Sequence, residues 1–155
     1  MPEEEFFTFR EYMRKEGETL SASAEDYMEM IFRLSRENGF TRVNDLAEAL
    51  NVQPPSVTKM IQKLSDMDLI KYEKYGVIML KDNGLVLGRA LLDRHNCVES
   101  FLKILNIHEG LLEGTEKIEH TINGDILIGL NRLIGFFQEN PHIYQQFKEF
   151  NISDV

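Results

Sequence analysis

The stretch Arg42-Val-Asn-Asp-Leu-Ala-Glu-Ala-Leu-Asn-Val-Gln-Pro-Pro-Ser-Val-Thr-Lys-Met-Ile-Gln-Lys-Leu64 reads as two short helices joined by a tight turn. Val43, Leu46, Ala47 and Leu50 recur at i, i+3, i+4, i+7 and share one helical face. Asn44 is the expected N-cap, with Asp45 suiting the positive end of the helix dipole. Asn51-Val52-Gln53 supplies the turn. Pro54 and Pro55 suit a helix start, where a backbone N–H has no intrahelical partner to lose. In the second helix, expected from Pro55 to Ser65, Val57, Met60, Ile61 and Leu64 form the apolar face. The opposite face carries Ser56, Thr58, Lys59, Gln62 and Lys63, short hydroxyls, an amide and two cations of the kind that reach phosphates and base edges. This is the pattern of a helix-turn-helix whose second helix reads DNA. Any pair of packed amphipathic helices shares the spacing, so the reading depends on what surrounds it.

Next comes Leu69 to Leu80, with β-branched and aromatic residues on both sides of Tyr75-Gly76, which predicts a two-stranded hairpin. Helix-turn-helix plus hairpin makes a winged helix, and Lys74 and Tyr75 at the hairpin tip join the expected DNA-contacting set. Upstream, Ser23 is the expected cap of a helix over 24–38 with Tyr27, Ile31 and Leu34 inward, closed by Asn38-Gly39. Residues 1–22 form an acidic extension in which Phe6, Phe7, Phe9, Tyr12 and Met13 fit either a short amphipathic helix or a loose arm.

Beyond the wing, Asn83-Gly84 reads as a turn. A long helix is expected from Leu85 to about Leu105, with Gly110 and Gly114 interrupting the chain after it. Shorter helices are expected at Glu116–Ile122, at Asp125–Glu139 and from Pro141. Their apolar faces exceed what a few short helices bury alone, and a homodimer interface is the simplest use for them. The expected fold is mainly α. It has an extension (1–22), a winged helix-turn-helix domain (23–84) and an all-helical metal-binding and dimerisation domain (85–155).

The chain has 155 residues, 28% charged, with a formal net charge of −9 and one cysteine, Cys97. No apolar run is long enough to span a bilayer. An acidic N-terminus is unlike a signal peptide, and a lone cysteine fits a reducing cytoplasm. Net acidity opposes DNA binding, but its distribution is uneven. Thr41 to Lys81 holds six Lys and Arg against five Asp and Glu, a net of +1 that leaves −10 elsewhere. An acidic remainder would repel DNA unless a cation neutralised it.

Three patterns could hold such a cation. Asp26 and Glu29 stand at i, i+3; His95 and Glu99 at i, i+4; Glu116, Glu119 and His120 at i, i+3, i+4. Each set shares a helical face. Carboxylate and imidazole donors without thiolate suit Mn²⁺ or Fe²⁺ better than a structural Zn²⁺ site. Each pattern is also what a solvated acidic face looks like in a chain with 26 Asp and Glu.

The segments AEDYMEMIF, DLAEALNVQPPSVTKMIQKL, YEKYG, the RH of DRHNCVESFL, and EKIEH together resemble the diphtheria toxin repressor family of metal-dependent transcriptional regulators. Within it, they resemble the short manganese transport regulator branch. The resemblance covers about Ala24 to Phe147. It implies a homodimer, without an added SH3-like domain, that represses transcription from palindromic operators when metal is loaded, and it implies a regulator of metal-uptake genes. It also implies a binuclear centre ligated by Asp26, Glu29, His95, Glu116, Glu119 and His120, with Glu116 and Glu119 bridging two Mn²⁺ per subunit. Fe²⁺, Co²⁺, Zn²⁺ and Cd²⁺ are the expected substitutes. Where the iron-responsive branch has Met and Cys, this chain has Asp26 and Glu116, which points to manganese. Glu99 matches an ancillary-site position of the iron branch. The wing lacks an Arg expected from relatives, and the stretch before Ala24 has no counterpart in the family pattern. Two alternatives stand beside this reading. One is a winged-helix regulator whose metal site is vestigial or loaded with iron or zinc. The other is a binuclear metallohydrolase, against which the chain offers no spare base, no substrate-clamping Arg cluster and no phosphate loop.

Overall fold

The computed structural model describes residues 20–150; the expected helix around Phe6 to Met13 lies outside them. Helix α1 spans Ala22–Ser35, and its N-cap is Ser21, two residues before the expected Ser23. The Ser21 hydroxyl accepts from the Ala24 amide at 3.1 Å. A two-residue strand that periodicity cannot reveal, β1 (Thr41–Arg42), precedes helix α2 (Val43–Leu50). Arg42 is held extended by pairing with Val77, so α2 begins at once, and Asn44 lies in its first turn instead of capping it. Asn51 closes α2 in the left-handed region (φ 54°), where asparagine is tolerated better than most side chains. Its amide donates to Glu48 O at 3.1 Å and that of Val52 to Ala47 O at 3.0 Å, satisfying carbonyls of the last turn.

Helix α3 spans Pro54–Asp66, with proline in its first turn as expected. The wing is β2 (Ile70–Tyr72) and β3 (Val77–Leu80), joined by a short 3₁₀ turn at Lys74–Gly76. Strand β3 lies between β1 and β2, antiparallel to both, with Lys71 opposite Met79 and Thr41 opposite Ile78.

The core of this unit is apolar: Met28, Ile31, Leu46, Val57, Ile61, Leu64, Leu69, Ile70 and Ile78 have no exposed surface. Helix α4 then runs from Asp82 to Ile104. The expected turn at Asn83-Gly84 is therefore wrong: both residues belong to the first turn of α4. Gly84 is required for close approach. A Cβ there would stand 2.0 Å from the Leu69 carbonyl oxygen, and one at Gly88 would stand 2.7 Å from Phe32 Cβ.

The chain divides into two compact units at Leu92/Asp93, within α4. The second unit continues with α5 (Leu111–Glu119), α6 (Gly124–Glu139) and α7 (Pro141–Glu149). Gly110, at φ 67°, is the N-cap of α5, and Gly114 lies inside that helix instead of interrupting it. Helix α5 accordingly begins five residues before the expected Glu116 and ends at Glu119, short of Ile122. Asn123 caps α6 by accepting from the Ile126 amide at 3.0 Å. Phe137 of α6 packs on Tyr144 and Phe147 of α7, each with ring centroids 5.4 Å apart.

Candidate metal centre and nucleic-acid interface

On α3 the buried Val57, Ile61 and Leu64 dictate which side faces outward. Ser56, Thr58, Lys59, Gln62 and Lys63 are all exposed. Thr58 donates back to Pro54 O at 3.2 Å, and Gln62 Nε2 donates to Asp66 Oδ1 at 3.1 Å. At the wing tip Lys74 is exposed, and Tyr75 is 90% exposed with φ 63°, an unusual backbone for an aromatic residue. The expected DNA-contacting residues thus lie on two exposed elements of one compact unit.

The polar cluster of the second unit is built by α4 and α5. His95 (5% exposed) and Glu119 (1% exposed) meet in the interior, with His95 Nδ1 2.9 Å from Glu119 Oε2. The other oxygen of Glu119 lies 3.6 Å from His120 Nε2, so one buried carboxylate faces two imidazoles. His120 terminates α5, and its Nδ1 lies 3.2 Å from Arg94 Nη2. A guanidinium only donates, so Nδ1 of His120 is the acceptor in that contact. Arg94 is itself buried and was not among the expected site residues; an arginine beside a histidine gives no periodic signal. On the far side of the His95 ring, Nε2 lies 3.4 Å from Glu99 Oε2, and Glu99 Oε1 pairs with Lys103 at 2.7 Å. The Lys103 hydrogen bond holds the Glu99 carboxyl below its ordinary pKa, outweighing the opposing effect of partial burial.

The structure therefore brings His95, Glu119 and His120 together, with Glu99 beside them. Glu116, one turn earlier on α5, is exposed. Asp26 and Glu29 belong to α1 of the first unit, where Glu29 pairs with Arg33 at 2.9 Å. The cluster's nitrogen and oxygen donors fit a divalent cation: a buried carboxylate between two imidazoles is the donor set that borderline-hard metals take.

A winged helix with a polar outward recognition helix, continuing into a helical unit with a buried His/Glu cluster, defines a metal-dependent DNA-binding regulator. The chain belongs to the iron dependent repressor family. Residues 19–78 match its N-terminal DNA binding domain, and residues 81–148 its metal binding and dimerisation domain. The HTH-type transcriptional regulator MntR of Shouchella clausii (strain KSM-K16) is 43% identical over 82% of this chain and 90% of its own length. That of Bacillus subtilis (strain 168) is 40% identical over 76% of this chain and 84% of its own length. Among solved structures, that of the manganese regulator SloR aligns at TM-score 0.65 and 29% identity, covering 73% of this chain and 54% of the SloR chain. The two MntR relatives are HTH-type transcriptional regulators and the family is one of repressors, which sets the metallohydrolase alternative aside. Among the described residues, no helix is long and apolar enough to cross a membrane.

Proposed function

We propose that this chain is a manganese-responsive repressor that binds palindromic operator DNA as a metal-loaded homodimer in the cytoplasm and controls metal-uptake genes. The observation that carries the metal reading is the buried Glu119 carboxylate facing His95 and His120. Asp26, Glu29 and Glu116 would complete a ligand set that, with Glu119 and the two histidines, would hold two Mn²⁺ per subunit. Oxygen donors at Asp26 and Glu116 favour Mn²⁺ over softer-donor metals, while Fe²⁺, Co²⁺, Zn²⁺ and Cd²⁺ also fit an O/N shell. When bound, two divalent ions supply four positive charges to a chain of formal charge −9.

Without cations, the carboxylates of Asp26, Glu29, Glu99, Glu116 and Glu119 would repel one another wherever the proposed ligand set brought them together. Asp26 and Glu29 stand on α1 of the winged helix, so their ligation would tether that module to the dimerisation unit. Tethering selects one orientation of the two recognition helices from many, at a spacing near one helical repeat of DNA, about 34 Å. Base and phosphate contacts then come from Ser56, Thr58, Lys59, Gln62 and Lys63 on α3, and from Lys74 and Tyr75 at the wing.

The test is a DNA-binding titration on a manganese-transporter promoter, with and without each divalent metal and across salt concentrations. Mn²⁺ should tighten binding by about 5- to 150-fold, the range usual for such coupling. The Lys59→Ala, Lys63→Ala double variant should flatten the dependence of log affinity on log salt by about 0.9 for each phosphate no longer neutralised. Mn²⁺-independent affinity would sink the metal gate, and an unchanged salt slope in the double variant would sink the assignment of α3.

A further inference from the structure

His95 is almost fully buried, so both ring nitrogens must find partners inside the protein. Each faces a carboxylate, but the two are of different standing. Glu119, on the Nδ1 side at 2.9 Å, has a side chain 1% exposed and faces His120 with its other oxygen. Glu99, on the Nε2 side at 3.4 Å, has a side chain 30% exposed, and its other oxygen is held by Lys103. His95, Glu99 and Lys103 stand at i, i+4 and i+8 on α4, so one helical stripe carries all three side chains. An imidazole that ligates a metal offers a lone pair from one nitrogen and an N–H from the other. The partner of the N–H decides which nitrogen is which, and also fixes the plane of the ring.

We propose that Glu99 is a positioning residue of the metal centre: it accepts the Nε2–H of His95, presents Nδ1 toward the cation shared with Glu119, and is kept in place by Lys103. The inference rests on His95 and Glu119 being metal ligands. It assigns Glu99 a role outside the ligand set. The two ring nitrogens point apart, so a cation on Nδ1 is out of reach of a carboxylate that pairs with Nε2. Glu119 fits the ligand role better than Glu99 because it is buried and faces both histidines, whereas one oxygen of Glu99 is already committed to an ammonium.

The experiment compares full-length wild type, Glu99→Gln, Glu99→Ala and Lys103→Ala. Mn²⁺ titrations by calorimetry give affinity and stoichiometry. Long-range ¹H–¹⁵N spectra of histidine-labelled protein loaded with Zn²⁺, a diamagnetic stand-in, report which nitrogen of His95 carries the proton. Glu99→Ala should weaken Mn²⁺ binding about 10- to 100-fold, the usual effect of losing such a partner, with the number of ions per chain unchanged. Glu99→Gln keeps an oxygen that accepts the Nε2–H and should recover most of the affinity. Lys103→Ala should fall between these two variants. In the wild type the His95 proton should sit on Nε2.

A proton on Nδ1, or an unchanged affinity in Glu99→Ala, would overturn the assignment. So would loss of a whole metal equivalent in both Glu99 variants, which would make Glu99 a ligand. If Glu99→Ala fails to fold, the wild-type spectrum and Glu99→Gln still decide. Wild type that binds no Mn²⁺ would overturn the metal reading itself, whereas wild type that binds with Glu99→Ala unaffected overturns this inference alone.

Discussion

Of the twelve largest fully buried side chains among the described residues, ten belong to the winged-helix unit and its start of α4, and all ten are apolar. The other two, Arg94 and Glu119, belong to the helical unit, and both are charged. Surfaces differ too, although the wing exposes Tyr72, Tyr75 and Met79. The outward face of α3 is polar, while the helical unit exposes Leu112, Ile126, Ile128, Leu133, Phe136 and Phe147. The winged helix is not wholly free of buried charge, since Glu25 is 4% exposed. Even so, the two halves solve folding differently. The first builds an apolar core and leaves its polar side chains outside. The second places charged groups in its interior, where desolvation is expensive, and leaves apolar surface for another chain to cover. A unit so built depends on what it binds, which is what a sensor requires.

The largest expected effect tests the exposed apolar surface. Ile126 and Leu133 stand seven residues apart on α6, on one helical face, and both are exposed in the single chain. Burying each in a dimer contributes about 1.5–3 kcal/mol, and twofold symmetry counts each twice. Ile126→Glu with Leu133→Glu should therefore raise the dimer dissociation constant by at least about a thousandfold. Sedimentation should show monomers at micromolar concentration, while circular dichroism of the winged helix stays unchanged. A dimer of undiminished affinity would mean that another face joins the subunits.

A smaller effect is expected inside the winged-helix unit, and it is one of stability. Gly84 lets α4 start directly against the Leu69 carbonyl, which already accepts from the Lys81 amide at 3.0 Å. A methyl 2.0 Å from that oxygen must displace backbone, not a flexible side chain. Gly84→Ala should destabilise the protein by about 3 kcal/mol, at the upper end of overpacking penalties. Urea denaturation measures it; a loss under about 1 kcal/mol would show that the start of α4 can move away from Leu69 at little cost.

That glycine also marks where sequence reading reaches its limit. The helix-turn-helix is legible because its apolar residues repeat with the helical period, and the wing because its strands flank Tyr75-Gly76. Glycine announces only the absence of a side chain, which suits a turn and a close helix contact alike. Asn83-Gly84 and Gly114 therefore read as interruptions in the sequence, yet both lie within helices. Strand β1 is two residues long and makes sense only beside β3. In the candidate centre, His95, Glu119 and His120 can be named from spacing and family likeness. Arg94 appears in the family-like Arg94-His95 pair, but its role does not, because that role lies in being buried against His120, 26 residues away along the chain. The pairing of Glu99 with both His95 and Lys103 is legible as spacing but not as a direction for the imidazole.

The smallest effect concerns Tyr27, which faces the apolar core from α1 and is 6% exposed. Burial raises its pKa above the ordinary 10, because the phenolate would lose hydration that the interior does not replace. The sign follows from linkage. Below about pH 10 the hydroxyl is protonated in both folded and unfolded chains, and its contribution to stability is constant. As pH rises beyond that point, the unfolded chain releases the proton while the folded chain keeps it, so stability declines until the folded pKa is passed. Tyr27→Phe removes this contribution. Its unfolding free energy should fall less steeply above pH 10 than that of wild type, the slopes differing by at most about one proton. Below pH 9 the two curves should run parallel. Parallel curves above pH 10 as well would mean that water reaches the hydroxyl, and the winged-helix core would then be less closed than its apolar lining indicates.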